Sequence, residues 1–162
     1  MNRFFVNYLV IAALVISAAF TACKNDKDDD ENGNENIIKD FYNPKKGDVY
    51  AVGEGSNTAI LWKNGVAQNL TDETSVGIAY SVFVSGSDVY VAGSRAILWK
   101  NGVEQNITDG TRARSVFVSG SDVYVAGYGR NHINAVVAKV WKNGVEQNLS
   151  GGSMAYSIFV VE

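Results

Sequence analysis

The sequence predicts an all-β fold built from three repeated four-stranded antiparallel meanders. Three observations carry this. Four short motifs recur in the same order along residues 41–162. The recurrences are punctuated by Asn-Gly, the strongest short hairpin signal, and by turns such as Ser-Gly-Ser-Asp. Beyond residue 22 no stretch keeps an apolar period of 3.6 residues, so helices are not expected there. The chain has 162 residues, 46% of them apolar, with 16 glycines and one proline. That composition is globular and excludes wholesale disorder. One cysteine and one histidine exclude a disulfide framework and any multi-Cys or multi-His metal site.

Residues 1–22 precede the fold. Arg3 supplies a positive start, Phe4 to Ala22 is almost wholly apolar, and small residues crowd the end before Cys23. This is the architecture of a secretory signal. A membrane-spanning helix is the alternative, because about 20 apolar residues cross a bilayer. Phe20, Thr21, Ala22 and Cys23 resemble the lipobox of bacterial lipoproteins, with Phe20 where that family usually carries Leu. The resemblance implies that Cys23 is acylated and becomes the new N-terminus. It also implies a bacterial cell envelope location, on the outer membrane and facing outward.

Residues 23–36 follow as a linker, since KNDKDDDENGNEN holds no apolar side chain and cannot offset its ordering entropy. From Cys23 to Asp40 there are seven acids and three lysines, whereas residues 41–162 hold ten acids and ten bases. The net charge of −3 therefore belongs to the tether. An acidic run directly after the lipid cysteine is similar to surface-export signals in lipoproteins of Bacteroidota. Asp28, Asp30, Asn32 and Gly33 imitate the start of a calcium loop, but Lys39 stands where a bidentate Glu is required. No metal and no cofactor is expected. The mild net acidity of the chain also argues against nucleic acid as a partner.

The repeat domain spans 37–162, in units of about 37–80, 81–114 and 115–155 with a terminal strand at 156–162. The motifs are Tyr80–Val84 (YSVFV), Arg114–Val118 (RSVFV) and Tyr156–Val160 (YSIFV); Asp48–Gly53 (DVYAVG), Asp88–Gly93 and Asp122–Gly127 (both DVYVAG); Trp62–Val66, Trp99–Val103 and Trp141–Val145 (all WKNGV). Gln68–Thr71, Gln105–Thr108 and Gln147–Ser150 close each unit. Each unit reads as four strands, a to d. Strands a and b are apolar at nearly every position, where a sheet with one wet face would alternate. Sheets packed on both faces are expected, in an incomplete propeller-like fold, with a two-layer β-sandwich as the alternative. The chain resembles repeat lipoproteins of that general kind.

The first unit has only a weak strand a at 37–42, and Tyr156–Val161 is a strong strand a with no strand b after it. The terminal strand could close the first unit. Three arrangements fit: an open arc, a homodimer completing a ring, or a truncated copy of a longer repeat. Trp62, Trp99, Trp141, Tyr50, Tyr90 and Tyr124 read as core rings, and Asp48, Asp88 and Asp122 as turn formers.

Loop lengths locate a candidate site. The a–b and c–d turns are uniform. From Gly53 to Trp62 there are 9 residues, from Gly93 to Trp99 6, and from Gly127 to Trp141 14, so the b–c connections vary. The d–a connections vary too, and a meander places both kinds on one rim. Variable loops on one face of a repeat often mark the binding face. The longest, 128–134, carries Tyr128, Arg130 and His132, and Arg95, Arg112 and Arg114 share the rim. These are the ligand-binding candidates, suited to a glycan, a peptide or an anionic group. Asp72, Glu73 and Asp109 sit on the variable rim and are the candidates for a carboxylate pair. No nucleophile elbow, P-loop or dinucleotide fingerprint is present. The expectation is a membrane-anchored binding module, not an enzyme, with a structural or assembly role as the alternative.

Overall fold

The computed structural model describes residues 39–72 and 74–161. The signal segment, Cys23, the acidic linker, the calcium-loop imitation and Glu73 lie outside the described residues. Among those described, eleven strands form three antiparallel sheets. Sheet I holds β1 (Tyr50–Gly55), β2 (Thr58–Lys63) and β3 (Val66–Asn69). Sheet II holds β4 (Ala79–Ser85), β5 (Asp88–Gly93), β6 (Ile97–Lys100) and β7 (Val103–Asn106). Sheet III holds β8 (Gly110–Ser119), β9 (Asp122–Arg130), β10 (Val136–Lys142) and β11 (Val145–Asn148). Within each sheet every strand pairs with its neighbours in sequence, so each sheet is a meander, and the sheets close into no barrel.

The turns form because the sequence supplies residues that tolerate positive φ. Asn64, Asn101 and Asn143 sit at φ 51–52° and the following Gly65, Gly102 and Gly144 at 77–82°. Two consecutive positive φ values make the I′ turn, whose twist matches the strands it joins. A repeated polar clasp then ties this turn to the one beside it. Asn64, Asn101 and Asn143 donate Nδ2 to Asp48, Asp88 and Asp122 at 2.8, 2.8 and 2.7 Å. Their Oδ1 atoms accept from the N–H groups of Val49, Val89 and Val123 at 2.9, 2.8 and 2.8 Å. Lys63, Lys100 and Lys142 complete the clasp with ion pairs to the same aspartates at 3.1, 2.9 and 2.7 Å. The aspartates are turn residues in all three units.

Packing follows from the unbroken apolar character of β5. Val89, Val91, Ile97 and Trp99 bury against Ala59 and Leu61 of sheet I. Tyr90, Ala92 and Leu98, on the opposite face, bury against Val116, Val125 and Trp141 of sheet III. Sheet II therefore lies between the other two, in a series of three sheets and not the two layers of a sandwich. Each fully buried aliphatic side chain here contributes about 1.5–3 kcal/mol. Trp99 and Trp141 are fully buried, whereas Trp62 is only half-buried because, among the described residues, no sheet covers that face of sheet I. Gly93 is required beneath Trp99: a Cβ there would meet the indole at 2.5 Å and the Ile78 carbonyl at 2.6 Å.

Three expectations need correction. Residues 39–41 form a helical turn and not a weak first strand. Phe41 and Tyr42 pack against the core between sheets I and II, and the Tyr50 hydroxyl donates to the Phe41 carbonyl at 3.2 Å. A straight strand would carry those two rings away from that core. Second, Tyr156–Val161 does not close the first unit. It joins no ladder and lies beside β8, where Ile158 N–H donates to Ser115 Oγ at 3.3 Å and Phe159 packs on Phe117 at 5.0 Å. Third, the longest b–c connection is mostly hairpin: β9 and β10 stay paired out to Arg130 and Val136, leaving a tip of 131–135.

Candidate functional site

The antiparallel meander places the b–c and d–a connections at one end of every sheet. The candidate residues on that rim fall into two groups rather than one patch.

The first group is built on the inner strands. Tyr80 comes from β4, Arg112 and Arg114 from β8, Tyr128 from β9 and Tyr156 from the segment beside β8. Two irregularities in the β8–β9 pairing, at Gly110/Arg112 and Ala113/Ser115, interrupt the strict alternation of β8. Arg112 and Arg114 are both half-buried beside the Tyr80 ring, at 5.9 and 4.4 Å. Arg112 also donates to the Tyr80 hydroxyl. Burial lowers its pKa, and the Tyr80 and Tyr128 hydroxyls more than offset this, so the guanidinium stays charged. Arg114 lies 6.0 Å from the Tyr128 ring centre and 5.8 Å from that of Tyr156. Its guanidinium thus faces three tyrosine rings within the range of cation–π attraction. Its Nε is buried without a hydrogen-bond partner among the described residues. A buried donor left unmade costs about 1–3 kcal/mol, and of the candidates only Arg114 carries such a buried, unpartnered atom among the described residues.

The second group sits at the β9–β10 hairpin. Arg130 and His132 line a recess of about 310 Å³ with Asp109, Lys139, Glu146 and Asn148. Arg130 is spent locally, donating to the Asn134 carbonyl at 2.8 Å. Lys139 is only 1% exposed and pairs with Glu146. Sequence reasoning passed over Lys139, yet a signal existed: it stands where the other units carry Ile60 and Ile97. Asp109 has a positive φ of 55° and belongs to the turn entering β8.

Arg95 joins neither group. It is exposed on the β5–β6 turn at φ 57°, with Ser94 beside it bridged to Arg112. Asp72 accepts from the Thr74 hydroxyl at 2.8 Å and its N–H at 3.1 Å, which is a turn role. A Ser75 side-chain bond first, then the bonds from Thr74, hold its carboxyl below the usual range. No cluster of three metal-ligating side chains occurs among the described residues. Against protein-family models, curated proteins and solved structures, the chain has no match.

Proposed function

We propose that this chain is a lipid-anchored binding module of a bacterial cell envelope. Residues 1–22 direct export, Cys23 carries the lipid, and 24–36 hold the repeats away from the membrane. The three sheets form an incomplete propeller-like arc that presents its variable rim outward. The ligand is an acidic oligosaccharide, whose carboxylate is taken by Arg114 and Arg112. Its sugar faces lie on Tyr156 and Tyr128. The observation that carries the reading is the half-buried, cationic Arg114 guanidinium set among three tyrosine rings. Charge-assisted bonds from the terminal guanidinium nitrogens to a carboxylate fit there, and the flanking rings supply apolar platforms. No reaction is assigned to the site.

The test is binding of the full chain to uronic-acid and sialylated oligosaccharides and to their neutral counterparts. The acidic set is expected to bind. Arg114→Gln should lower affinity at least about tenfold, the free-energy equivalent of 1.4 kcal/mol. Replacing His132 with alanine, in the second group, should leave affinity unchanged. Equal binding of neutral and acidic sugars, binding only of peptides, or full affinity in Arg114→Gln refutes the proposal.

A further inference from the structure

Sheets II and III share one pairing rule at their inner edge. Phe83, Val82 and Ser81 of β4 oppose Tyr90, Val91 and Ala92 of β5. Phe117, Val116 and Ser115 of β8 oppose Tyr124, Val125 and Ala126 of β9 in the same register. Sheet I contains the strand that should be opposed, β1, but no partner at that edge among the described residues. Asn64 N–H donates to the Val49 carbonyl, so the alternation of an antiparallel pair turns the N–H and C=O groups of Tyr50 and Val52 toward the open edge.

The missing sequence exists elsewhere. Ser157–Val160 repeats the inner-strand motif, and it already sits where an inner strand of a further sheet would sit. Val116 N–H donates to Ser81 Oγ at 3.2 Å, and Ile158 N–H donates to Ser115 Oγ at 3.3 Å. Phe83, Phe117 and Phe159 stack in sequence, at 4.7 and 5.0 Å. Yet this segment joins no ladder, and Phe159 is 76% exposed.

The sheet faces complement each other in the same way. Val89 and Trp99, which sheet II buries against sheet I, are 1% and 0% exposed. Their counterparts on sheet I are less covered: Val49 is 66% exposed, Ala51 is exposed and Trp62 is only half-buried. Among the described residues no layer covers that face. The segment cannot reach β1 of its own chain, because it packs on sheet III while sheet II separates sheets III and I.

We infer that residues 156–161 of one copy add to β1 of a second copy. The shared rule fixes the register as Phe159 opposite Tyr50, Ile158 opposite Ala51, and Ser157 opposite Val52. Sheet I of the second copy becomes four-stranded and stacks its Val49, Ala51 and Trp62 face on Tyr124, Ala126 and Val140 of the first. This is strand addition to an open edge, where main-chain bonds give affinity and alternate side chains give register. The contact is heterologous: the two partners contribute different surfaces. It does not depend on the rim ligand.

The experiment uses the full chain in detergent with Cys23→Ser, so that no native thiol remains. One preparation carries Ala51→Cys and the other Ile158→Cys. In the inferred register these two face each other as a non-hydrogen-bonded pair, about 4.5 Å between Cα atoms and close enough for a disulfide. Mixing under mild oxidation is expected to give a disulfide-linked species of twice the chain mass. Ala51→Cys mixed with Val161→Cys should give several-fold less. As a measurement without new cysteines, amide exchange at Tyr50 and Val52 should slow as chain concentration rises. Equal cross-linking by both pairs, or concentration-independent exchange at Tyr50 and Val52, overturns the inference.

Discussion

Lys139 shows how one residue can break a repeat without breaking the fold. Its position is apolar in the other two units, and its ammonium lies almost fully out of water. Glu146, 36% exposed, is the partner that makes this tolerable. Removing one member of a buried pair strands the other, at about 3–5 kcal/mol when both are buried. Because Glu146 is partly solvated, Glu146→Gln should cost less, about 2 kcal/mol, read as a lowered denaturant midpoint. Combining it with Lys139→Ile, which restores the residue type of the other units, should recover wild-type stability or exceed it. A midpoint unmoved by Glu146→Gln would show that the pair contributes nothing. The lysine was visible in the sequence as a departure from Ile60 and Ile97. Its partner was not, because that depends on the β10–β11 register, which sets Glu146 beside the neighbouring Trp141. The Arg112 contact to Tyr80 was equally hidden, since it joins two different sheets across 32 residues.

At the level of the element, the clasp is the recurring device. Asn64 first, then the Lys45 backbone N–H and Lys63, lower the Asp48 pKa from 3.8 to about 2. Lys100 and Asn101 lower Asp88, and Lys142 and Asn143 lower Asp122. A depressed carboxylate pKa stabilises the fold fully above the unfolded value. That contribution is lost as pH falls through the folded one. The thermal midpoint should therefore hold above about pH 4 and fall toward pH 2, and Asp48→Asn should flatten part of that fall. A midpoint constant down to pH 2 in the wild type would remove the clasp from the stability account. The strands themselves were legible because turn chemistry is local: Asn-Gly names its turn whatever surrounds it. The helical turn at 39–41 was not, because Phe41 and Tyr42 answer to a core assembled by residues far along the chain.

For the whole molecule, the burial of sheet II on both faces was legible from the unbroken apolar runs in its strands. The order of the sheets, the open edge of β1 and the division of the rim were not, since each depends on how separate units meet. The proposed tether acts at this scale too. Chains carrying Cys23→Ser should move from the membrane fraction to the soluble fraction and lose incorporation of a labelled fatty acid. Unchanged labelling would exclude that cysteine as the anchor. The shared register of sheets II and III also bears on how the chain reaches its native state. A strand that pairs through Phe, Val and Ser against Tyr, Val and Ala finds the same offer in β5 and in β9. Pairing strength alone gives β4 no reason to choose the right one, so exchanged pairings are the characteristic trap for such a chain. Correct assembly rests on connection length: β4 meets β5 across a turn of two residues, 86 and 87, whereas pairing with β9 would first close a far longer loop. The tightness of those uniform turns is thus a kinetic address, written into the least variable part of the repeat.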